Sequence, residues 1–256
     1  RRNITNVNNN DNNNNGNSNS IDMNSTCGFC RPEMMNRLPI NNTIEEYGRH
    51  YFICCSDTPS HLWPSKLNML SPGMSSLYDV IKRHERQQLR PSLFTGIDTS
   101  HSNMDNFDIL VFPEMIKLRN INAASMEHVL TYFANNNTLD TQSFPSNIDY
   151  EPINGRYIYV CTHGQRDARC GFCGPILVDA IKKEIKSRGV NDVKVFGISH
   201  VGGHKYAGNV LLFPHGHWYG YVTPDDVPAI VDSALSGDVI TRLHRGTMGQ
   251  PIIKSQ

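Results

Sequence analysis

The stretch Arg156-Tyr-Ile-Tyr-Val-Cys161-Thr-His-Gly-Gln-Arg-Asp-Ala-Arg-Cys170 decides the fold, because an apolar strand in it ends at a cysteine and a second cysteine follows after eight intervening residues. The next segment, from Pro175 to Arg188, carries apolar residues at helical spacing, with a proline suited to a first turn and Gly189 at its end. Residues 193–198 then have the pattern of a buried strand. We therefore predict two parallel strands joined by a helix.

The same pattern continues to the end of this unit. Residues 209–213 and 218–222 are apolar runs around a short turn, which predicts a hairpin. Thr223-Pro-Asp-Asp is a strong helix start, and apolar residues at helical spacing continue to Gly237. The order strand, helix, strand, hairpin, helix is typical of a thioredoxin-like unit, in which one sheet is covered by helices.

The upstream half of the chain repeats this order. A shift of 101 residues lays Gly96-Ile97 on Gly197-Ile198, and Leu110–Pro113 on Leu211–Pro214. Such a persistent register indicates an internal duplication. We predict an α/β protein of two tandem thioredoxin-like domains with mixed sheets covered by helices.

The predicted boundaries follow from composition. Residues 1–26 are rich in Asn and nearly free of apolar residues, which predicts a disordered tail. Residues 27–146 form the N-terminal thioredoxin-like domain and residues 147–256 the C-terminal one, with a linker rich in Asn, Thr and Ser at residues 135–146.

Composition also restricts the partners. The chain has 256 residues, a formal net charge of zero and a sequence pI near 7.3, so charge indicates no nucleic-acid partner. No apolar run approaches the roughly 20 residues that span a bilayer. Seven cysteines, an odd number in close pairs, favour a reducing compartment with metal or redox chemistry over a disulfide framework. The chain begins Arg1-Arg2, which is typical of a fragment or a processed form.

Four residues form the candidate metal site. Cys161 ends one predicted strand, Cys170 begins the following helix, and His200 and His204 follow the next strand. The carboxyl ends of neighbouring parallel strands meet at one sheet edge, so we expect these side chains to converge. Gly202-Gly203 lets the histidine loop bend tightly. In the first half, Thr99 and Asn103 stand at the histidine positions, and Cys55 ends a strand as Cys161 does.

The residue types alone leave three interpretations. Two Cys and two His also bind zinc, although the wide Cys-x8-Cys spacing suits a bulkier two-iron cluster better. Cys170-Gly-Phe-Cys173 has the spacing and helix-start position of a thioredoxin dithiol. Cys27-Gly-Phe-Cys30 is half a zinc site, a redox dithiol or an incidental pair.

Several motifs resemble a known family. Cys161-Thr-His-Gly-Gln-Arg-Asp-Ala-Arg-Cys-Gly171 and Ser199-His-Val-Gly-Gly-His-Lys-Tyr-Ala-Gly-Asn-Val210 are similar to motifs of the sucrase/ferredoxin-like family of thioredoxin-like ferredoxins. Its fungal bis-histidinyl branch carries the same His-x3-His. The resemblance extends to Phe213–Gly220, Arg245–Gly249 and, more loosely, Trp63–Lys66.

The resemblance implies a [2Fe–2S] cluster held by Cys161, Cys170, His200 and His204, with Cys173 as a non-ligand. It implies an electron carrier or regulator of thiol redox quality control, more than a substrate-turning enzyme, with unidentified redox protein partners. Together with the chain end Lys254-Ser-Gln256, which lacks a tryptophan, it favours the mitochondrial matrix or intermembrane space, with the cytosol as the alternative. The competing functions are a dithiol oxidoreductase using Cys170 and Cys173, and a structural zinc-binding interaction protein.

We make simpler predictions for other residues near the candidate site and in the first half. His163, inside the cysteine loop, either donates a hydrogen bond beside the ligands or is solvated, and we favour the solvated position. Arg166 and Asp167 either neutralise the cluster or pair within the loop. At least one of Cys54 and Cys55, at the end of an apolar strand, should be a packed core thiol.

Overall fold

The computed structural model describes residues 23–36, 39–99 and 105–249. The helices are α1 (Met23–Thr26), α2 (Pro32–Met35), α3 (Pro72–His84), α4 (Ala123–Asn135), α5 (Ala168–Ser187) and α6 (Val227–Ser236). The strands are β1 (Arg49–Cys54), β2 (Ser92–Ile97), β3 (Phe107–Phe112), β4 (Ile116–Ile121), β5 (Tyr150–Pro152), β6 (Arg156–Cys161), β7 (Val193–Ile198), β8 (Val210–Phe213), β9 (His217–Tyr219) and β10 (His244–Thr247). Within these ranges, no helix is long and apolar enough to cross a membrane.

The ten strands form one mixed sheet in the order β10-β9-β8-β6-β7-β2-β1-β3-β4-β5. The pairs β1–β2 and β6–β7 are parallel, and the other neighbours are antiparallel. The two five-stranded halves meet through one antiparallel pair, Ile97 of β2 with Ile198 of β7. This confirms the predicted mixed α/β class, and each half has the predicted order of strand, helix, strand, hairpin and helix.

Each half buries one sheet face under its own helices. In β1, Tyr51 and Ile53 belong to a core built with α3 and α4, and in β6, Ile158 and Val160 belong to a core built with α5 and α6. Successive residues of a strand point to opposite faces of the sheet. Phe52 in β1 and Tyr159 in β6 therefore point away from these helices.

The other two faces pack against each other. Strands β1 and β6 are separated by two strands, a distance of about 14 Å in a flat sheet. Yet the rings of Phe52 in β1 and Tyr159 in β6 stack with centroids 3.8 Å apart. The sheet therefore bends at the β2–β7 junction and folds its halves face to face. The shared inner layer is aromatic and includes Tyr47, Phe52, Phe112, Tyr157, Tyr159, Phe213 and Trp218.

The register of the two halves corrects one prediction. Cys54 pairs with Ile97 in the first half, and Cys161 pairs with Ile198 in the second. Cys54, and not Cys55, thus holds the place equivalent to Cys161, because a shift of one residue turns a side chain to the other face of the strand. Both Cys54 and Cys55 are buried core thiols, as expected for at least one of them. The duplication itself and the two domain boundaries stay predictions.

Helix α5 begins before both starts that the sequence suggested, Pro175 from the apolar spacing and Cys170 from the cysteine motif. It starts at Ala168, where the Asp167 carboxylate accepts a hydrogen bond from the Arg169 backbone N–H at 3.0 Å. Pro175 lies inside the helix, so the helix keeps a position without a donor N–H. Residues 23–26, expected within the disordered tail, form the helical turn α1. Residues 1–22, Asn103 and the chain end Lys254–Gln256 lie outside the described residues.

Candidate metal centre

Two parallel strands deliver the candidate ligands to one edge of the sheet. Cys161 is the last residue of β6, and His200 follows two residues after the end of β7. The chain leaves β6 through a six-residue loop and enters α5, whose third residue is Cys170. The carboxyl ends of β6 and β7 lie side by side, as the register of Cys161 with Ile198 shows. The predicted convergence of the loops is therefore confirmed.

Three of the four predicted ligands come together. The Sγ atoms of Cys161 and Cys170 each lie 3.9 Å from Nδ1 of His200. Their ligand atoms all lie within 4.8 Å of one another, and no other group of three Cys, His, Asp or Glu among the described residues is placed to hold a metal ion. Both sulfurs are buried and the imidazole is half-buried. This is a compact soft-donor site that opens to one side.

His204 lies at the rim of this group. Its ring centroid is 5.8 Å from that of His200, and its Nδ1 is 3.8 Å from the Asp167 carboxylate. The side chain is 53% exposed. The structure thus places the fourth predicted ligand beside the other three and on the solvent side of them.

The two thiols are electrostatically coupled. Hydrogen bonds from the Cys170 thiol and from His200 lower the pKa of Cys161 well below that of a free thiol. The same hydrogen bond, together with burial, raises the pKa of Cys170. The pair therefore favours a single negative charge, because each thiol opposes ionisation of the other. A thiolate is the form of cysteine that binds metals, so the site is partly prepared for a cation.

His163 supports the histidine loop and is not solvated, so that expectation was wrong. It is buried, its Nε2 contacts the carbonyl oxygen of Pro64 at 2.8 Å, and its Nδ1 accepts a hydrogen bond from the His200 backbone N–H at 3.3 Å. Burial lowers the pKa of His163, which favours the neutral ring these two contacts need. Pro64 belongs to the first half, so both halves position His200.

Asn209 and Arg245 form a second support that we did not single out from the sequence. The Asn209 carbonyl accepts from the Cys161 N–H at 3.0 Å, and its amide donates to the carbonyl oxygen of Gly203 at 3.1 Å. Buried Arg245 donates to the Asn209 side-chain oxygen at 2.8 Å and to the carbonyl of Thr43 at 3.1 Å. Both residues lie in motifs that carry the family resemblance, which was the available signal.

The glycine pair acts as predicted. Gly202 and Gly203 have φ values of 82° and 66°, in the left-handed region that favours glycine. A Cβ on Gly203 would also collide with the Arg245 guanidinium. Only glycine therefore allows the histidine loop to close over Arg245.

Cys170 and Cys173 face different surroundings. The Cys170 sulfur contacts His200, whereas the Cys173 sulfur contacts the Arg31 guanidinium at 3.4 Å and the carbonyl oxygen of Cys27 at 3.5 Å. Burial raises the pKa of Cys173, and Arg31 opposes that rise. The Cys170–Cys173 pair is therefore not arranged as one dithiol site.

A basic cleft opens beside His200. The cleft is a cavity of about 390 Å³ whose lining includes the cations Lys66, Lys82 and Arg166 and no carboxylate. His200 and His163 form part of its wall, with Phe94 and Tyr78. An anionic group in this cleft would approach the edge of the candidate metal site.

The donor set fits a [2Fe–2S] cluster. Two buried thiols from different segments face one imidazole, and a second imidazole stands at the rim, which is the mixed His/Cys set of such clusters. Buried thiolates need a cationic partner, and no Lys or Arg among the described residues forms an ion pair with Cys161 or Cys170 within hydrogen-bonding distance.

Comparisons with known proteins agree with these motifs. The sucrase/ferredoxin-like family model matches residues 40–246. "Altered inheritance of mitochondria protein 32" of Debaryomyces hansenii is 34% identical over 214 residues, which cover 72% of this chain and 76% of that protein. The protein of the same name from Clavispora lusitaniae is 30% identical over 203 residues, covering 72% and 74%. "Actin patches distal protein 1" of Saccharomyces cerevisiae is 33% identical over 92 residues, covering 31% and 29%.

One solved structure is a thioredoxin-like [2Fe–2S] ferredoxin from Aquifex aeolicus. It is 21% identical, covers 40% of this chain and 99% of its own, and superposes with a TM-score of 0.34. The family model, by contrast, spans most of the chain, and the first two relatives match about three quarters of their own length. The chain therefore belongs to the sucrase/ferredoxin-like family.

Proposed function

We propose that this chain is an electron-transfer protein that binds a [2Fe–2S] cluster through Cys161, Cys170, His200 and His204. The observation that carries the proposal is the pair of buried sulfurs, each 3.9 Å from the same histidine nitrogen. The family membership and the mixed donor set support it. Such a cluster supplies one-electron exchange when bound.

The ligand set determines the electrostatics of the site. Two thiolates and two neutral imidazoles balance a core charge of about +2, whereas four thiolates leave a net negative site. Adding an electron to a neutral site is easier than adding one to an anion. We expect a reduction potential in the range of mixed His/Cys clusters, roughly −150 to +300 mV.

The residues around the candidate ligands hold the ligand loops in place and supply positive charge. His163 and Asn209 hold the two ligand loops in register, and buried Arg245 places a positive charge near both thiols. Lys66, Lys82 and Arg166 give the cleft beside His200 a positive field. We infer that redox partners approach through this cleft with an acidic surface.

The cellular setting is part of the proposal. Two of the relatives described above are named for altered inheritance of mitochondria. We propose a mitochondrial location, in the matrix or intermembrane space, and a role in thiol redox quality control. Fractionation of cells expressing the complete natural protein tests the location, and recovery in the cytosol alone would contradict it.

Two other functions use the same cysteines. A dithiol oxidoreductase would need Cys170 and Cys173 to face one another, and their sulfurs contact different groups. A structural zinc site would use the same two cysteines and His200. Measurement of the bound zinc, iron and sulfide therefore distinguishes a zinc site from an iron–sulfur cluster.

Anaerobic reconstitution with iron and sulfide tests the proposal. We expect visible absorbance, two iron and two sulfide per chain, and a rhombic electron paramagnetic resonance signal after reduction. Cys161→Ser and His200→Ala should abolish these signals, and His204→Ala should shift the resonance or weaken binding. The matched control is His128→Ala, an exposed histidine of α4. A colourless product that binds only zinc contradicts the proposal, and an unchanged His204→Ala spectrum removes that ligand.

A further inference from the structure

The sequence Cys-Gly-Phe-Cys occurs twice, at residues 27–30 and 170–173, and the two copies pack together. A Cβ on Gly28 would lie 2.6 Å from the Phe172 ring, so the first copy lies directly on the second. The segment around α1 and α2 thus covers the first turns of α5.

The contact brings one cysteine of each copy together. The Cys173 thiol donates to the carbonyl oxygen of Cys27 at 3.5 Å. Cys173 is completely buried, and Cys27 is buried with 8% of its surface exposed. A disulfide joins residues whose Cα atoms are about 4.4–6.8 Å apart. The 3.5 Å contact holds the Cys27 backbone against the Cys173 sulfur, and a disulfide further requires the Cys27 side chain to rotate toward that sulfur.

A buried cation faces this pair. Arg31 is completely buried, and its Nη1 donates to the carbonyl of Gly28 at 2.7 Å and lies 3.4 Å from the Cys173 sulfur. Its Nε and Nη2 have no hydrogen-bond partner among the described residues, and no carboxylate there forms an ion pair with it. An unpaired buried charge is strongly unfavourable. The group that Arg31 touches and that can become an anion is the Cys173 thiol.

The three cysteines Cys27, Cys30 and Cys173 do not form a metal site, and the cysteine whose backbone contacts the Cys173 sulfur comes from the other copy of the motif. Among the described residues, Cys27, Cys30 and Cys173 do not form a group with ligand atoms within metal-binding distance of one another. Cys30 is exposed, and its sulfur accepts a hydrogen bond from the Asn24 amide at 3.2 Å. Cys27 is therefore the cysteine of the first copy that faces Cys173.

We propose that Cys27 and Cys173 form a second redox site, a dithiol that exchanges with small disulfides of the glutathione class. The Cys27 thiolate attacks one sulfur of oxidised glutathione, forms a mixed disulfide and releases one glutathione thiolate. The Cys173 thiolate, stabilised by Arg31, then attacks the Cys27 sulfur and displaces the second. The two protons of the protein thiols pass to the two glutathione thiolates, and two electrons pass to the small disulfide.

Titration of the full chain with mixtures of reduced and oxidised glutathione tests this site. Alkylation and mass spectrometry with peptide fragmentation should find a Cys27–Cys173 disulfide that reducing agents reverse. Cys30→Ser, which changes the exposed cysteine of the same motif, should keep the link. Cys27→Ser should abolish it. A disulfide confined to Cys27–Cys30 or Cys170–Cys173, or no disulfide in excess oxidised glutathione, overturns the proposal.

The rate of disulfide formation in variants of Arg31 tests the role of this residue. Arg31→Met should slow formation of the disulfide at least about fivefold, because the attacking thiolate loses its cation. Arg31→Lys, which keeps the charge, should recover part of the rate. Circular dichroism of both variants checks that they fold. Unchanged rates in a folded Arg31→Met protein overturn the assignment of Arg31 to this site.

Discussion

At the scale of single residues, Asn209 connects the two ligand-bearing segments. Its backbone carbonyl holds Cys161 and its side chain holds Gly203, while Arg245 fixes the amide orientation. An Asn side chain offers both a donor and an acceptor, so it can satisfy Arg245 and the loop carbonyl at once.

Asn209→Ala should therefore weaken both the fold and the metal site. It removes the acceptor of the Arg245 Nη1 and one of the two donors to the Gly203 carbonyl, which keeps the Tyr206 N–H. A buried donor left without its partner costs about 1–3 kcal/mol. Denaturant unfolding should show a loss of about 2 kcal/mol, and the reconstituted chromophore should bleach faster under a chelator. Asn191→Ala, at an exposed position, is the control. Equal stability of the two variants would contradict this role.

His50 makes the fold sensitive to acid. It is completely buried, and burial lowers its pKa from 6.5 to about 3. Its ring contacts the Tyr47 hydroxyl at 3.2 Å and the Thr95 hydroxyl at 2.7 Å. The unfolded chain binds a proton at His50 near pH 6.5, and the folded chain does not, so this stability is present above pH 6.5 and lost as pH falls toward 3.

Between pH 7 and pH 5, His50 should remove about 2 kcal/mol of stability. His50→Gln carries no titrating group, so its unfolding free energy should depend less on pH by that amount. The measurement is denaturant unfolding of both proteins at each pH. Other buried histidines remain in both, so the difference isolates His50. Parallel pH profiles would show that His50 does not titrate in this way.

The candidate ligands could be identified from the sequence, and the residues that support them could not. Cys161, Cys170 and His200 follow from residue type and from strand ends, which are local signals. His163 lies in a loop, and its partner Pro64 lies in the other half of the chain. The local sequence therefore gave no sign that His163 is buried. Arg245 contacts Thr43, about 200 residues away, and single-sequence patterns carry no information on such pairs.

At the scale of elements, the boundary of α5 shows how two local signals compete. Pro175 favoured a helix start there, since proline suits a first turn. Asp167 is a strong N-cap eight residues upstream of the predicted start, and the loop must place Cys170 on a helix next to Cys161. Packing of the cysteine into the site favours the earlier start, so the helix accepts an internal proline.

The basic cleft is an element-scale feature that joins α3, the loop before it and the cysteine loop. Lys66→Glu with Lys82→Glu reverses its charge. Reduction of the reconstituted protein by dithionite, an anion, should slow about tenfold at low salt and lose its salt dependence. Stopped-flow absorbance measures the rate.

The control for this experiment keeps the same change in net charge. Lys183→Glu with Lys186→Glu alters two exposed positions of α5 outside the cleft lining. Reduction of this variant should stay within about twofold of the natural rate. Equal slowing of both double variants would mean that net charge, and not the cleft, governs the approach.

At the scale of the whole molecule, the halves stabilise each other through the aromatic inner layer. Phe52 stacks on Tyr159 across the halves and on His50 within its own strand, at 3.8 Å and 3.9 Å. The sequence predicted the strands of the two repeated units but neither β5, β10 nor this folding of the sheet. A strand buried on both faces has no alternation that reveals which face meets which partner.

Phe52→Ala should destabilise both halves together. Removing a fully buried ring costs about 3–5 kcal/mol, and the loss should appear as one cooperative transition in circular dichroism and in the visible chromophore. Leu89→Ala, at an exposed site, should change stability by no more than about 0.5 kcal/mol. Separate transitions of the two signals would show that the halves unfold independently.

The junction between the halves also suggests an order of assembly that can be tested. The Gly96 N–H donates to the Ser199 hydroxyl at 3.0 Å, and the Ser199 N–H donates to the Gly96 carbonyl at 2.9 Å, immediately before His200. We expect docking of the halves to complete the fixing of this histidine relative to the cysteines. Insertion of the proposed cluster should then follow docking, so the colour of a reconstituted preparation would report the molecules whose halves have docked.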